Sequence, residues 1–176
     1  MELHEKTLES RSVFEGRLLK VYADQIELPN GAEGTREYIR HPGGVGIVAL
    51  TDGGEVLLVR QYRYPYGEVV TEIPAGKRDP GEDPLTTAQR ELEEETGMQA
   101  AHWETLGAMY PTPGYTDEVD YLFLATGLHA TAAHLDEDEF LDVVRIPLRT
   151  LVEQIMDGSI PDAKTQLAVL KAIRLL

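Results

Sequence analysis

The chain has 176 residues, no cysteine and a formal net charge of −15. This length suits one domain with at most a small appendage, and the excess of acid argues against a long nucleic acid bound through its phosphates. No stretch has the roughly 18 consecutive apolar residues of a membrane helix, and the first residues, MELHEKTLES, contain no apolar signal core. We therefore expect no nucleic-acid partner, no membrane partner and, without disulfides, a cytoplasmic location.

Residues 1–42 are predicted to form a small β segment of their own. Three alternating stretches, SVFEG, RLLKVYADQIEL and TREYIRH, are broken by a turn at Pro29-Asn30-Gly31. So short a strand-like segment cannot bury a core alone and must pack on something else. The main domain is predicted to cover residues 43–176.

The main domain alternates strand and helix patterns, which is typical of an α/β fold. GVGIVAL and EVLLVRQ flank Asp52-Gly53-Gly54 and predict a β-hairpin, and VDYLFLA and DVVRIPL predict two later strands. A helix should then run from about Leu148 to Asp157 and end at Gly158, followed by a last helix capped by Asp162. The residues of the last helix expected to face the core are Leu167, Leu170 and Ile173.

One helix of the main domain carries an unusual density of carboxylates. Asp83 is a natural N-cap, Pro84 suits the first helical position, and Gly97 suits the left-handed residue after the end. At about 100° per residue, one face is apolar and should pack on a sheet, with Leu85, Ala88 and Leu92. The adjoining face carries Glu91, Glu94 and Glu95. Arg90, four residues before Glu94, is expected to hold it by an ion pair.

So many carboxylates repel one another unless a cation lies among them. Oxygen ligands without His or Cys favour a hard ion, Mg²⁺ or Mn²⁺, and such ions commonly bridge a protein to a phosphate-bearing substrate. The pattern therefore favours a metal-dependent enzyme acting on phosphates. The alternative is an acidic helix that only coats the surface.

The spacing of this segment is G-x5-E-x7-R-E-U-x-E-E-x-G-U, where U is apolar. Its fixed places are filled by Gly76, Glu82, Arg90, Glu91, Leu92, Glu94, Glu95, Gly97 and Met98. The segment resembles the signature of the Nudix hydrolases at every fixed place. The resemblance implies an α/β/α sandwich with a mixed sheet, here preceded by the small N-terminal β segment.

The flanks of the motif resemble the ADP-ribose pyrophosphatase branch of that family. They are YPTPGYTDE, which contains Pro113, and VRQYRYPYGEVVTEIPAG, which contains Arg60, Arg63 and Glu72. The resemblance implies Mg²⁺-dependent hydrolysis of ADP-ribose to AMP and ribose 5-phosphate, with Mn²⁺ as the alternative ion. The alternatives are hydrolysis of another nucleotide sugar, such as GDP-mannose, and a non-catalytic module that senses a nucleotide.

The resemblance also implies roles for particular residues. The implied metal ligands are the backbone carbonyl of Ala75 and the carboxylates of Glu91, Glu94, Glu95 and Glu139. The implied catalytic residues are Glu94, Arg90 and Glu137. Within the acidic stretch 136–139, Glu137 is the expected base and Glu139 the expected ligand. These two roles are exchangeable, and the stretch taken by itself is typical of a solvated loop.

Three residues outside the motif are assigned to the substrate. A guanidinium fork suits phosphate oxygens, so Arg63 is expected to hold the pyrophosphate; the alternative is a surface ion pair. Glu118 is expected to accept hydrogen bonds from ribose hydroxyls, or else to cap a turn, and Pro113 belongs to the substrate-binding loop. In the resembling branch an N-terminal segment of this kind exchanges between subunits, so the resemblance also implies a homodimer.

Overall fold

The computed structural model of the protein describes residues 3–131 and 140–176. Its N-terminal part is an antiparallel sheet in the order β1-β2-β3. The strands are β1 (Lys6–Glu15), β2 (Lys20–Glu27) and β3 (Glu33–Arg40). The predicted turn between β2 and β3 is confirmed: the Gly31 amide donates to the Leu28 carbonyl at 2.8 Å, and Gly31 has a φ of 81°.

The rest of the chain is built on a seven-stranded sheet. Its strands are β4 (Gly44–Leu50), β5 (Glu55–Arg63), β6 (Glu68–Glu72), β7 (Ala75–Lys77), β8 (Met98–Met109), β9 (Asp120–Ala130) and β10 (Leu141–Pro147). The main order is β10-β5-β4-β9-β8, while β6 pairs with β5 and β7 with β4. The β4–β9 pair is parallel and the others are antiparallel, so the sheet is mixed. The predicted hairpin between β4 and β5 is confirmed.

Helices cover both faces of this sheet. They are α1 (Pro84–Thr96), α2 (Leu148–Met156) and α3 (Ala163–Ala172). Alternate residues of β4 point to opposite faces: Ile47 packs in one core cluster with Leu92 of α1, and Val48 in another with Leu151 of α2 and Val169 of α3. The predicted α/β/α sandwich is therefore confirmed. No helix within the described ranges is long and apolar enough to cross a membrane.

The predicted core face of the last helix is wrong. Leu167 and Leu170 are each 36% exposed, and Ile173 is only half-buried. The buried residues of α3 are instead Thr165, Ala168, Val169 and Ala172. Small side chains let the helix approach the sheet closely, and the Thr165 hydroxyl accepts a hydrogen bond from the Ile73 amide at 2.9 Å.

The N-terminal sheet contacts the main domain through the loop that precedes β9. The Ile39 amide of β3 donates to the Tyr115 carbonyl at 2.8 Å, and the Asp117 amide donates back to the Ile39 carbonyl at 3.2 Å. The Asp117 carboxylate also accepts a hydrogen bond from the His41 amide at 2.7 Å. The two parts of the chain therefore meet beside the loop that contains Pro113.

Candidate active site

A cavity of about 1110 Å³ opens where α1, β7, the 110–118 loop and the start of α3 meet. Among the predicted site residues it is lined by Ala75, Glu91, Glu94, Glu95, Arg90, Arg63 and Glu118. Pro113 is exposed and does not line the cavity, whereas its neighbours Pro111 and Thr112 do. Glu137 and Glu139 lie outside the described residues. The fold thus gathers most of the predicted site at one place.

Local hydrogen bonds fix where α1 begins and ends. The Asp83 carboxylate accepts from the amides of Leu85 at 2.9 Å and Thr86 at 3.3 Å, which caps the first turn. At the other end Gly97 is left-handed, with a φ of 65°, and its amide donates to the Glu93 carbonyl. The predicted helix is confirmed, and its acidic face is directed at β7.

Two glutamates of α1 are buried against the backbone of β7. Glu91 is 8% exposed and Glu95 is 5% exposed. The Ala75 amide donates to the Glu95 carboxylate at 3.0 Å. A Cβ on Gly76 would lie 1.9 Å from the carboxyl carbon of Glu91, so only glycine leaves room for this carboxylate. The two carboxylates therefore converge on the short strand that carries the Ala75 carbonyl.

Arg90 connects three carboxylates of the motif. Its Nη1 lies 2.7 Å from Glu94 and 2.9 Å from Glu91, and its Nη2 lies 3.4 Å from Glu82. Burial opposes the charge on Arg90, but these carboxylates raise its pKa above the usual value, while the hydrogen bond from Arg90 lowers the pKa of Glu82. The predicted ion pair of Arg90 with Glu94 is confirmed. The additional contact with Glu91 was not predicted.

The donor set on this side of the cavity fits a hard divalent cation. It consists of carboxylate and carbonyl oxygens held by backbone, with no sulfur or imidazole. Over residues 3–131 and 140–176, no group of three or more acidic, His or Cys side chains is preformed as a metal site. A cation that binds Glu91 must compete with the Arg90 guanidinium, which lies 2.9 Å from the same carboxylate.

A second, compact group of opposite charges also lines the cavity. The Glu72 carboxylate, 1% exposed, accepts hydrogen bonds from Arg63 Nε at 2.7 Å and from the Lys164 ammonium. The same ammonium donates to Asp162 at 2.9 Å. Burial opposes the charges of both cations, but their carboxylate partners keep the pKa of Arg63 and the pKa of Lys164 raised. Arg63 therefore forms an ion pair, but its partner Glu72 is buried, whereas the predicted alternative was an ion pair at the surface.

Glu118 lies at the junction between the two parts of the chain. Its carboxylate is 3.2 Å from Nδ1 of His41, and its amide donates to the hydroxyl of Thr116 at 3.1 Å. The His41 Nδ1 also accepts from the Gly43 amide at 3.2 Å. The turn at Glu118 is confirmed for its backbone, and its side chain lines the cavity. The role of its carboxylate toward ribose stays a prediction.

Residues 40–165 match the family model of the NUDIX domain, and residues 5–39 match that of the nucleoside diphosphate sugar hydrolase N-terminal domain. The first match spans more than half of the chain. The chain belongs to the Nudix family. It is therefore a Nudix hydrolase, and the need of this family for a divalent metal ion agrees with the all-oxygen donor set.

Individual relatives show which members of the Nudix family the chain is similar to. The Nudix chain is 44% identical over 167 residues to the methanol dehydrogenase activator of Bacillus methanolicus, with 94% of this chain and 90% of the relative covered. It is 41% identical over 169 residues to the ADP-ribose pyrophosphatase of Bacillus subtilis (strain 168), with 95% and 91% covered. It also resembles a crystal structure of an ADP compounds hydrolase with a TM-score of 0.89 and 27% identity, covering 100% of this chain and 96% of the other.

Sequence reasoning missed several charged residues of this Nudix cavity. Lys164, Asp120 and His41 all line it. The available signal was weak: Lys164 sits in the first turn of α3, two residues after its N-cap, where a lysine is normally read as solvent-exposed. Asp120 directly precedes an apolar strand and resembles an ordinary strand boundary.

Proposed function

We propose that this Nudix hydrolase cleaves the pyrophosphate bond of ADP-ribose, giving AMP and ribose 5-phosphate, with Mg²⁺ as its metal ion. The observation that carries the proposal is the convergence of Glu91 and Glu95 on the backbone of Ala75 and Gly76 inside a cavity. The choice of substrate rests on the Bacillus subtilis relative and on the flanking residues of the motif.

The residues that would hold the ion are those predicted from the sequence. Glu91, Glu95 and the Ala75 carbonyl would supply the ligands, with Glu94 completing the set. Glu139, which lies outside the described residues, is the further ligand that the resemblance implies. When bound, a divalent ion neutralises charge on the phosphoryl oxygens and makes a bound water more acidic. Mn²⁺ has the same preference for oxygen and is the alternative.

The other residues act on the substrate and on the water. Arg63 would bind the pyrophosphate oxygens, and its bond to Glu72 holds the guanidinium in place beforehand. Glu137 would take a proton from the attacking water. The oxygen of that water then forms a bond to one phosphorus, and the bond from this phosphorus to the bridging oxygen breaks. The ion pair with Arg90 would orient the Glu94 carboxylate toward the ligand set that it completes.

The test is product analysis with Mg²⁺ and a panel of ADP-ribose, GDP-mannose, a dinucleoside polyphosphate and ATP. AMP and ribose 5-phosphate should appear fastest from ADP-ribose, and a Glu94→Gln protein purified in parallel should be severely impaired. That comparison controls for contaminating hydrolases. Faster cleavage of GDP-mannose would move the substrate to another nucleotide sugar. Tight binding of ADP-ribose without any turnover would favour a sensing module.

We also propose that residues 1–42 form a dimerising β unit, so that the protein acts as a homodimer. Every residue of β1 is exposed in the single chain, including large apolar side chains such as Val13 and Phe14. Sedimentation equilibrium at micromolar concentration should give twice the chain mass, and a monomer would overturn the proposal. A cytoplasmic location stays a prediction, to be checked by fractionation.

A further inference from the structure

The cavity contains one further buried carboxyl, that of Asp120. Asp120, the first residue of β9, lines the cavity and is 8% exposed. No residue in the described part of the chain donates a hydrogen bond to its side chain. Buried polar side chains are nearly always hydrogen-bonded, so a carboxyl that faces a cavity without a donor from the described residues is available as an acceptor for a bound molecule.

The backbone is shaped to admit this carboxyl. A Cβ on Gly44 would lie 2.7 Å from Oδ1 of Asp120 and 3.0 Å from the carbonyl oxygen of Gly76. Only glycine at position 44 therefore leaves space for the carboxyl oxygen. Because the same point lies against Gly76 of β7, Asp120 is next to the strand on which Glu91 and Glu95 converge. A substrate held by its pyrophosphate there passes within reach of Asp120.

The charges around Asp120 restrict what can bind it. Burial raises the pKa of Asp120 to about 6, and Glu118 and Asp162 act in the same direction, whereas Lys164 and His41 oppose them. A phosphate would be repelled by these three acids. Lys164 and His41 are unfavourable neighbours for a second metal cation. A neutral group that donates hydrogen bonds suits the carboxyl best, and the hydroxyls of a sugar are such groups.

We propose that Asp120 is a specificity residue that accepts a hydrogen bond from a ribose hydroxyl of the substrate. This inference rests on the proposed function, since it requires a substrate with ribose beside its pyrophosphate. ADP-ribose contains two riboses, one in the adenosine and one at the distal end. Their hydroxyls offer the same chemistry, so the experiment must distinguish the two positions.

The test compares three compounds in the Mg²⁺-loaded enzyme. They are ADP-ribose, an analogue whose distal ring lacks its hydroxyls, and an analogue with 2′,3′-dideoxyadenosine. Asp120→Ala should lower kcat/KM for ADP-ribose about 10- to 100-fold, because the hydroxyl loses its acceptor. One of the two analogues lacks the hydroxyl that donates to Asp120. For that analogue, Asp120→Ala should change kcat/KM by less than about threefold. Asp120→Asn retains an acceptor oxygen and should recover most of the preference.

Glu68→Ala is the matched control, because Glu68 also lines the cavity but is exposed. It should leave the ratio of the three substrates unchanged. An equal loss for all three compounds in both Asp120 variants would show a structural role and overturn the inference. If the unaltered enzyme cleaves none of them, the proposed function fails. Calorimetry then measures the affinity of the same compounds for the same variants. A loss of affinity in Asp120→Ala only for compounds that carry the hydroxyl supports the inference, and an equal loss for all compounds overturns it.

Discussion

Two groups of charged side chains at the cavity differ in how completely their charges are neutralised. The acidic wall consists of Glu91, Glu94 and Glu95, which line the cavity, together with Glu82, which Arg90 joins to Glu91 and Glu94. Four carboxylates and one guanidinium leave this group at −3. The balanced wall consists of Glu72, Asp162, Arg63 and Lys164, two carboxylates and two cations in direct contact.

This difference predicts whether a substitution alters mainly catalysis or mainly stability. A group that is under-neutralised by its own side chains is completed by an external cation, so substitutions there should alter metal binding and turnover. A buried group whose charges already balance gains nothing from a cation, and removing one member leaves an uncompensated buried charge. We therefore expect activity effects from the acidic wall and stability effects from the balanced wall, except at Arg63, where both are expected because the proposed function also assigns it to the pyrophosphate.

The largest effect should come from Glu95→Gln on the acidic wall. Loss of a charged ligand should lower kcat with Mg²⁺ about a thousandfold, while the amide oxygen of glutamine can still accept from the Ala75 amide and preserve the fold. Mg²⁺ should raise the melting temperature of the unaltered protein but not that of the variant. Glu93→Gln on the same helix is the control, and an equal loss of kcat there would contradict a specific role for Glu95.

Lys164→Met tests the balanced wall. It removes one of the two cations bound to Glu72, which is 1% exposed, and should lower the free energy of unfolding by about 3 kcal/mol. Urea unfolding measures this change. Lys171→Met removes a lysine of the same helix that donates to the Leu106 carbonyl, and it should cost about 1 kcal/mol. Similar losses in the two variants would mean that the balanced wall is not a special source of stability.

Gly76→Ala asks whether the acidic wall depends on the shape of β7. The added Cβ would lie 1.9 Å from the carboxyl carbon of Glu91, so the carboxylate must move and kcat should fall about 50-fold. Gly53→Ala is the control, since the closest atom its Cβ would meet is 3.7 Å away in the β4–β5 hairpin. Unchanged turnover in Gly76→Ala would show that the observed position of Glu91 is not the active one.

The two walls also differ in how far the sequence predicts them. The ends of α1 follow from Asp83, Pro84 and Gly97, whose effects act on neighbouring residues, and the i, i+4 spacing gives the contact of Arg90 with Glu94. The balanced wall joins Glu72 to Lys164 across 92 residues of chain. No local pattern encodes such a pair, because it exists only after β6 and α3 have packed together.

The core face of α3 shows a second limit. The size of Leu167 and Leu170 suggested a buried face, but the close approach of the helix to the sheet selects smaller side chains. Hydrophobic size predicts burial only when the distance between the packed elements allows it. The same reasoning explains Asp120: its burial depends on the space left by Gly44, a distant residue whose meaning the sequence alone does not reveal.

The smallest expected effect is the contribution of Asp120 to the pH dependence of the free energy of unfolding. Folding raises its pKa from 3.8 to about 6, so the unfolded chain releases the proton more readily. This group therefore disfavours the folded state increasingly as pH rises from about 4 to about 6, and the penalty then stays constant. Asp120→Asn removes that dependence. Its free energy of unfolding, relative to that of the unaltered protein, should rise by about 1 kcal/mol between pH 4.5 and pH 7.5.

Urea unfolding of both proteins at the two pH values measures this difference, and the titrations that they share cancel. Asp142→Asn is the control, because that side chain is 81% exposed and loses little hydration on folding. A difference that stays flat with pH would mean that folding leaves the pKa of Asp120 unchanged, and a difference that falls would mean that folding favours its charged form. If the charged form is favoured, Asp120 adds a further negative charge to the cavity. The buried carboxylate of Asp120 would then be stable in the protein alone, without a hydroxyl donor from the substrate.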